Sequence, residues 1–298
     1  MARAPLTIPP EVRSRLKRLS LVPRRMAGTR GFGMHASRSK GAGLEFAQYR
    51  AYEPGDEPRR IDWKLFSRSD KFFVREAEEE SPLAVWILID ASGSMAQADR
   101  ARPDWSRLDA AKLLALCIAD VALMQGDRFG WMVLHENGLR LAEPHRGRGQ
   151  WERLQLELAR LEATGTFPAT ASLAPLWERV GARDLVIFLS DCFDESGIAL
   201  IERLAKAGRE VLAIQLLTVE ERDFPFEGGF RFREQEGGAE LVSDGAALRE
   251  TFLARFAAAR KALDERLDAA GIRHAAVVLD QPVDRPLHVL FGRGAAPT

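Results

Sequence analysis

From residue 83 onward the chain alternates short apolar runs with longer segments whose apolar positions recur every three or four residues. The run Leu83-Ala-Val-Trp-Ile-Leu-Ile ends at Asp90, and its unbroken hydrophobicity predicts a strand buried on both faces. The segment Arg107–Gln125 puts Leu108, Ala111, Ala115, Ile118 and Ala122 on one stripe. It predicts a helix lying on a sheet, with Gly126 suited to end it. Further strands are expected over 128–134, 185–190, 210–217 and 273–279, interleaved with helices over 150–161, 173–180 and 196–207. A long helix over 246–270 carries Leu248, Phe252, Phe256, Ala259, Leu263 and Leu267 on one face and reads as sheet cover. This alternation predicts an α/β fold with a doubly wound, mostly parallel, Rossmann-like sheet.

Upstream the pattern differs. Residues 9–20 read as a short helix with proline near its start, followed by a glycine-rich, basic stretch through Gly43. Over 43–63 aromatic residues alternate with charges, and Pro54-Gly55 marks a turn, which predicts a small, mostly non-helical or β lobe. The expected organisation is therefore a basic segment with a small lobe over 1–80 and an α/β domain over 81–298.

Composition narrows the function. With 46% hydrophobic and 29% charged residues, the 298-residue chain has enough apolar surface for a substantial core. Lysine plus arginine equals aspartate plus glutamate at 43 each, so no global field draws it to nucleic acid or an anionic membrane. That balance hides an asymmetry, because residues 11–40 hold nine basic side chains against one acid, Glu11. Nucleic-acid binding through this segment is an alternative, weighed against its pairing with the acidic run Glu76, Glu78, Glu79 and Glu80. Cys117 and Cys192 lack CxxC spacing and suit reduced thiols, and no apolar run approaches the ~18 residues of a membrane span. A cytoplasmic protein with no membrane partner is expected.

The candidate chemistry sits where two buried strands end. Asp90 runs into Ala91-Ser92-Gly93-Ser94, giving Asp-x-Ser-x-Ser at the carboxyl edge of the sheet, where such folds bind ligands. Alternate residues of an extended loop project to one side, so a carboxylate and two hydroxyls converge. A second strand over 184–190 ends in Asp191, and parallel neighbours bring both carboxyl ends to the same edge. Two carboxylates with hydroxyl oxygens suit Mg²⁺ or Mn²⁺. Serine and aspartate also cap helices, so the motif alone does not decide.

With the buried strand before it and Asp191 after it, the motif resembles the metal-ion-dependent adhesion site of von Willebrand factor A domains, whose ligands match Asp90, Ser92, Ser94 and Asp191. That resemblance implies a threonine ligand from an intervening loop, with Thr166 the first choice and Thr164 and Thr170 its competitors. A closer resemblance is to the bacterial family called domain of unknown function 58. It is carried by Gly43, Glu45-Phe46, Tyr49-Arg50, Tyr52, Gly55-Asp56, Arg59, Ile61-Asp62-Trp63 and Phe73-Val74-Arg75-Glu76. It implies a protein-interaction module acting with a MoxR-type AAA+ ATPase, or with that ATPase's client, in protein maturation or remodelling. Membrane helices found in many members are not expected here.

Other readings are weaker. The charged cluster Arg50, Asp56, Arg59 and Asp62, set among aromatics, reads as a hydrogen-bonded structural lobe. Gly31-x-Gly33-x-x-Ala36 lacks the strand and helix of a dinucleotide site, the five histidines show no zinc spacing, and no phosphate-binding Gly-Lys-Ser/Thr loop occurs. A Mg²⁺-dependent phosphatase with Asp90 as nucleophile is the enzymatic alternative. Ser92 stands where such enzymes carry their acid, so no catalytic residue and no enzyme activity is expected.

Overall fold

The computed structural model describes residues 6–23, 46–53, 56, 58–77, 83–226, 229–233 and 240–292. The basic residues of 24–40, the glycines at 31, 33, 43 and 55 and the acidic run at 78–80 lie outside them. The chain divides into two compact units, one of Met1–Arg30 with Leu83–Thr298 and one of Gly31–Pro82. A first helix, α1 (Pro10–Leu16), starts on a proline, whose missing N–H costs nothing in a first turn.

The small unit is a hairpin of β1 (Phe46–Ala51) and β2 (Phe73–Ala77), antiparallel, with α2 (Trp63–Ser69) between them. The mostly non-helical reading of this lobe missed α2. Its start is fixed by Asp62, whose Oδ1 accepts the N–H groups of Lys64 and Leu65 at 3.0 Å each. Arg50 meets Asp56 at 2.8 Å, and Phe66 stacks on Phe72 with ring centroids 4.4 Å apart. These charges and rings hold one another, as the structural reading of the motif expects.

The larger unit is built on a six-stranded sheet. In chain order its elements are β3 (Ala84–Asp90), α3 (Arg107–Gln125), β4 (Arg128–His135), β5 (Gly138–His145), α4 (Arg148–Arg160) and α5 (Ala174–Arg179). They continue with β6 (Leu185–Ser190), α6 (Glu195–Lys206), β7 (Glu210–Leu217), α7 (Val219–Asp223), β8 (Gly229–Arg233), β9 (Glu240–Asp244), α8 (Gly245–Ala269), β10 (Arg273–Val278) and α9 (Arg285–Phe291). Strand order is β10-β7-β6-β3-β4-β5, parallel except for β5, which is antiparallel to β4 at the edge. β8 and β9 form a separate antiparallel hairpin. The sheet is the doubly wound, mostly parallel one that the sequence pattern predicts.

Because successive side chains of a strand point to opposite faces, β3 feeds two core layers. Val85, Ile87 and Ile89 pack into one, and Trp86 and Leu88 into the other. α3 begins with a capping box, Ser106 with Asp109, and ends at Gly126 in the left-handed region (φ 76°). Its predicted single stripe understates its burial, since almost every residue from Arg107 to Ala122 is enclosed. α1 and α4 pack against it. α8 departs from its prediction in the opposite sense. Of the expected face only Leu267 is buried, while Phe252 and Phe256 stack with each other and Phe252 meets Phe224 instead of the sheet.

The N-terminal segment belongs with this unit, not with the small lobe where the sequence boundary at residue 80 put it. Ile8, Val12, Leu16, Leu19 and Leu21 join the same core as α3. Arg13 meets Asp120 of α3 at 3.1 Å, and Arg15 makes a bidentate pair with Asp284, both bonds 2.6 Å. Two of the basic side chains that suggested an anion surface are thus held by carboxylates of the protein itself, and neither partner lies in the run 76–80. Leu16 is fully buried. Leu16→Ala is expected to lower the unfolding free energy by about 2–5 kcal/mol, seen as an earlier single transition in urea; an unchanged midpoint would mean that the segment is a dispensable appendage.

Burial alone would raise the Asp284 carboxyl, but hydrogen bonds from Arg15, the backbone and His288 bring it below its ordinary value. A carboxylate depressed on folding stabilises above its unfolded pKa of about 3.9, and that contribution disappears as pH falls through the lower folded value. Asp284→Asn should therefore melt below wild type at pH 7, with the gap narrowing as pH falls below about 4. Melting curves between pH 7 and pH 2.5 test this, and a pH-independent gap would show that the carboxylate's charge contributes nothing.

Candidate metal centre

Three strand ends converge at the carboxyl edge. The register pairs Ile89 with Leu189, which sets Asp90 beside Ser190. Asp90 Oδ1 accepts the Ser92 N–H at 2.9 Å, and its Oδ2 accepts the Ser190 hydroxyl at 2.6 Å. Beyond Asp90 the chain enters a 3-10 turn, Gly93–Ala96. The hydroxyls of Ser92 and Ser94 lie 3.2 Å apart, so both reach the same side of the loop. Asp191 follows β6, and its Oδ1 accepts the Phe193 N–H at 3.1 Å. Gln215 of β7 donates to the Asp191 carbonyl at 3.0 Å. Asp90 and Asp191 are each only 1% exposed.

Burial pushes the Asp90 carboxyl up to about 6; hydrogen bonds from Ser190 and Ser92 lower it, and the nearby charge of Asp191 raises it again. Cys192, also buried, has its thiol pushed up by burial and is not disulfide-bonded; the same holds for Cys117. Both are inert as nucleophiles in this setting.

The intervening loop docks on the Asp-x-Ser-x-Ser turn through its backbone. Gly93 N–H donates to the Gly165 carbonyl at 2.7 Å, and Thr164 N–H to the Ala91 carbonyl at 2.9 Å. A Cβ on Gly93 would stand 3.0 Å from that Gly165 oxygen, and Gly165 itself has φ +64°, so glycine at both positions permits the approach. Thr164 and Thr166 are exposed at this edge, whereas Thr170 opens a separate 3-10 turn, Thr170–Leu173. Asp90, Ser92, Ser94 and Asp191 are brought together; the Thr166 hydroxyl forms no hydrogen bond with any of them.

One central group was absent from the sequence reading. Arg107, the first residue of α3, is 2% exposed and donates from Nη1 to Asp191 Oδ2 at 2.9 Å and to the Ser94 carbonyl at 3.0 Å. Its Nη2 donates to Glu221, and the guanidinium lies 5.2 Å from the centre of the Phe193 ring. Glu221 is positioned by a second capping box, in which Thr218 N–H donates to its Oε2 at 2.9 Å. Both boxes follow the Ser/Thr-x-x-Asp/Glu pattern, Ser106 to Asp109 and Thr218 to Glu221, and that pattern is a signal that places Arg107 and Glu221 at helix starts on this edge.

Among the described residues no three His, Cys, Asp or Glu side chains cluster as a metal cage. The oxygen set here is of another kind, two buried carboxylates with two hydroxyls. Arg107 pairs with two carboxylates, Asp191 and Glu221, so with Asp90 this edge carries three acidic side chains to one guanidinium. That excess, with hard oxygen donors, fits a divalent cation held by Asp90, Ser92, Ser94 and Asp191.

The site thus sits on a mostly parallel α/β sheet with Asp-x-Ser-x-Ser at its carboxyl edge. The family model described as "Protein of unknown function DUF58" matches residues 48–262, and the chain belongs to that family. It is similar to an uncharacterized protein of Mycobacterium tuberculosis, 26% identical over 257 residues, covering 85% of this chain and 80% of that one. Among solved structures it is similar to an aerotolerance-related membrane protein from Bacteroides fragilis, with 17% identity, TM-score 0.45 and coverage of 70% of this chain and 96% of that one. It is also similar to the SpRpn10 VWA domain, with 14% identity, TM-score 0.39 and coverage of 73% and 99%. Among the described residues no helix is long and apolar enough to cross a membrane.

Ser190→Ala removes a hydrogen bond to a buried carboxylate. It should lower the unfolding free energy by about 1–3 kcal/mol in EDTA at pH 7; urea denaturation measures it, and an unchanged midpoint would show that Ser190 contributes nothing to holding Asp90.

Proposed function

We propose that this protein is a metal-dependent protein-interaction module that turns nothing over, with Mg²⁺ or Mn²⁺ at Asp90, Ser92, Ser94 and Asp191. The observation that carries the reading is the pair of buried carboxylates beside two hydroxyls 3.2 Å apart at the ends of adjacent parallel strands. The role of the bound cation is to offer a remaining coordination position to an acidic side chain of a partner. A carboxylate arriving there gains a charge-assisted contact only in the geometry the loop permits. Thr166, exposed on the docked loop, is the candidate fifth ligand.

Family membership makes a MoxR-type AAA+ ATPase, or the protein that such an ATPase remodels, the partner class to test. Residues on several different loops set the site, so binding should be lost with a single ligand. Titration calorimetry with Mg²⁺ and Mn²⁺ is expected to give binding to wild type and none to Asp90→Ala. A purified MoxR-type ATPase from the same organism is expected to bind wild type in Mg²⁺ and to be released by EDTA. Association that ignores both EDTA and Asp90→Ala would sink the adhesion-type reading.

A further inference from the structure

We infer that Arg107 is a built-in counter-cation which holds Asp191 when no metal is bound and competes with the divalent ion for that carboxylate. The inference rests on the metal-site reading above and adds a determinant of its affinity. The guanidinium is joined to three loops at once: to Ser94 after β3, to Asp191 after β6 and to Glu221 after β7. It touches neither Asp90 nor the two serine hydroxyls, so those oxygens are not engaged by it, while one oxygen of the second carboxylate is. A dication drawing on Asp191 Oδ2 must share it with a bound arginine or displace it.

The surroundings give the displaced guanidinium somewhere to go. The Glu221 side chain is 18% exposed against 1% for Asp191, and Phe193, whose ring underlies the guanidinium, is 51% exposed. Movement away from Asp191 therefore leads toward a second carboxylate and the solvent, not into the core. Arg107 Nε is buried without an acceptor, so the fork is not fully satisfied where it sits. Removing its charge takes away a competitor and leaves the oxygen ligands in place.

The test compares wild type with Arg107→Met, which keeps the bulk and loses the charge, and with Arg107→Gln as a second variant should the first fail to fold. Mn²⁺ affinity is read by electron paramagnetic resonance, and thermal midpoints are taken in EDTA and in Mg²⁺. Loss of one charge-assisted competitor is expected to tighten Mn²⁺ binding by at least about tenfold. The variant is also expected to melt below wild type in EDTA and to recover with Mg²⁺. Equal or weaker Mn²⁺ binding by the Arg107 variants, or a loss of melting temperature that Mg²⁺ does not restore, would overturn the competition while leaving the metal site standing. Absence of Mn²⁺ binding from wild type and from every Arg107 variant would overturn both. Asp90→Ala, expected to bind none, reports which site the ion occupies.

Discussion

Negative charge placed where water cannot reach it is the constraint around which the carboxyl edge is organised. A strand buried over its whole length, as β3 is, can present polar chemistry only at its ends. Here the end is Asp90, and beside it Asp191 closes β6. An uncompensated buried carboxylate costs several kcal/mol, so each oxygen is answered. Ser190 and the Ser92 N–H serve Asp90, and Phe193 N–H and Arg107 serve Asp191. The answers differ in kind. Neutral donors meet Asp90, whose carboxyl burial pushes up, whereas a full positive charge meets Asp191.

What the sequence made legible follows from how local each signal is. β3 is a continuous apolar run ending in Asp90, β6 is one that runs into Asp191, and the 3-10 turn that follows Ser92 and contains Ser94 lies within six residues of Asp90, so strands, turn and candidate residues were readable together. The limits of α3 were readable from Gly126 and from its apolar spacing. β5 was not. Its residues, Gly138–His145, alternate in burial at an exposed edge and include Pro144, a pattern too weak beside the strong runs of the central strands. Arg107 and Glu221 are separated by 114 positions and meet only because β3, β6 and β7 are neighbours in the sheet. No periodicity carries that information. The backbone docking of Gly165 on Gly93 escaped for the same reason, although a glycine between two threonines was in plain view.

The place of the N-terminal segment could not be read from charge alone. Its basic residues left anion binding as an alternative beside pairing within the molecule, and the apolar positions between them, Val12 and Leu16, decide where its helix goes. Burying those side chains on α3 brings Arg13 and Arg15 within reach of Asp120 and Asp284, and a charge paired with a fixed carboxylate is not available to a phosphate. A helix of seven residues does not persist alone in water. Its stability comes from the core it joins, a contribution that charges counted over 11–40 do not carry.

The same packing bears on how the edge can respond to a ligand. α3 is enclosed by the sheet, by α1 and by α4, and Arg107 is its first residue, fixed by the Ser106–Asp109 box. Close-packed interiors resist displacement of a whole helix, so the backbone of Arg107 is held from both sides. The freedom that remains is in the torsions of its side chain, which ends in a fork bridging two acidic groups. Exchange of partners at Asp191 then requires rotation of one side chain within the edge, with no shift of the layers that support it.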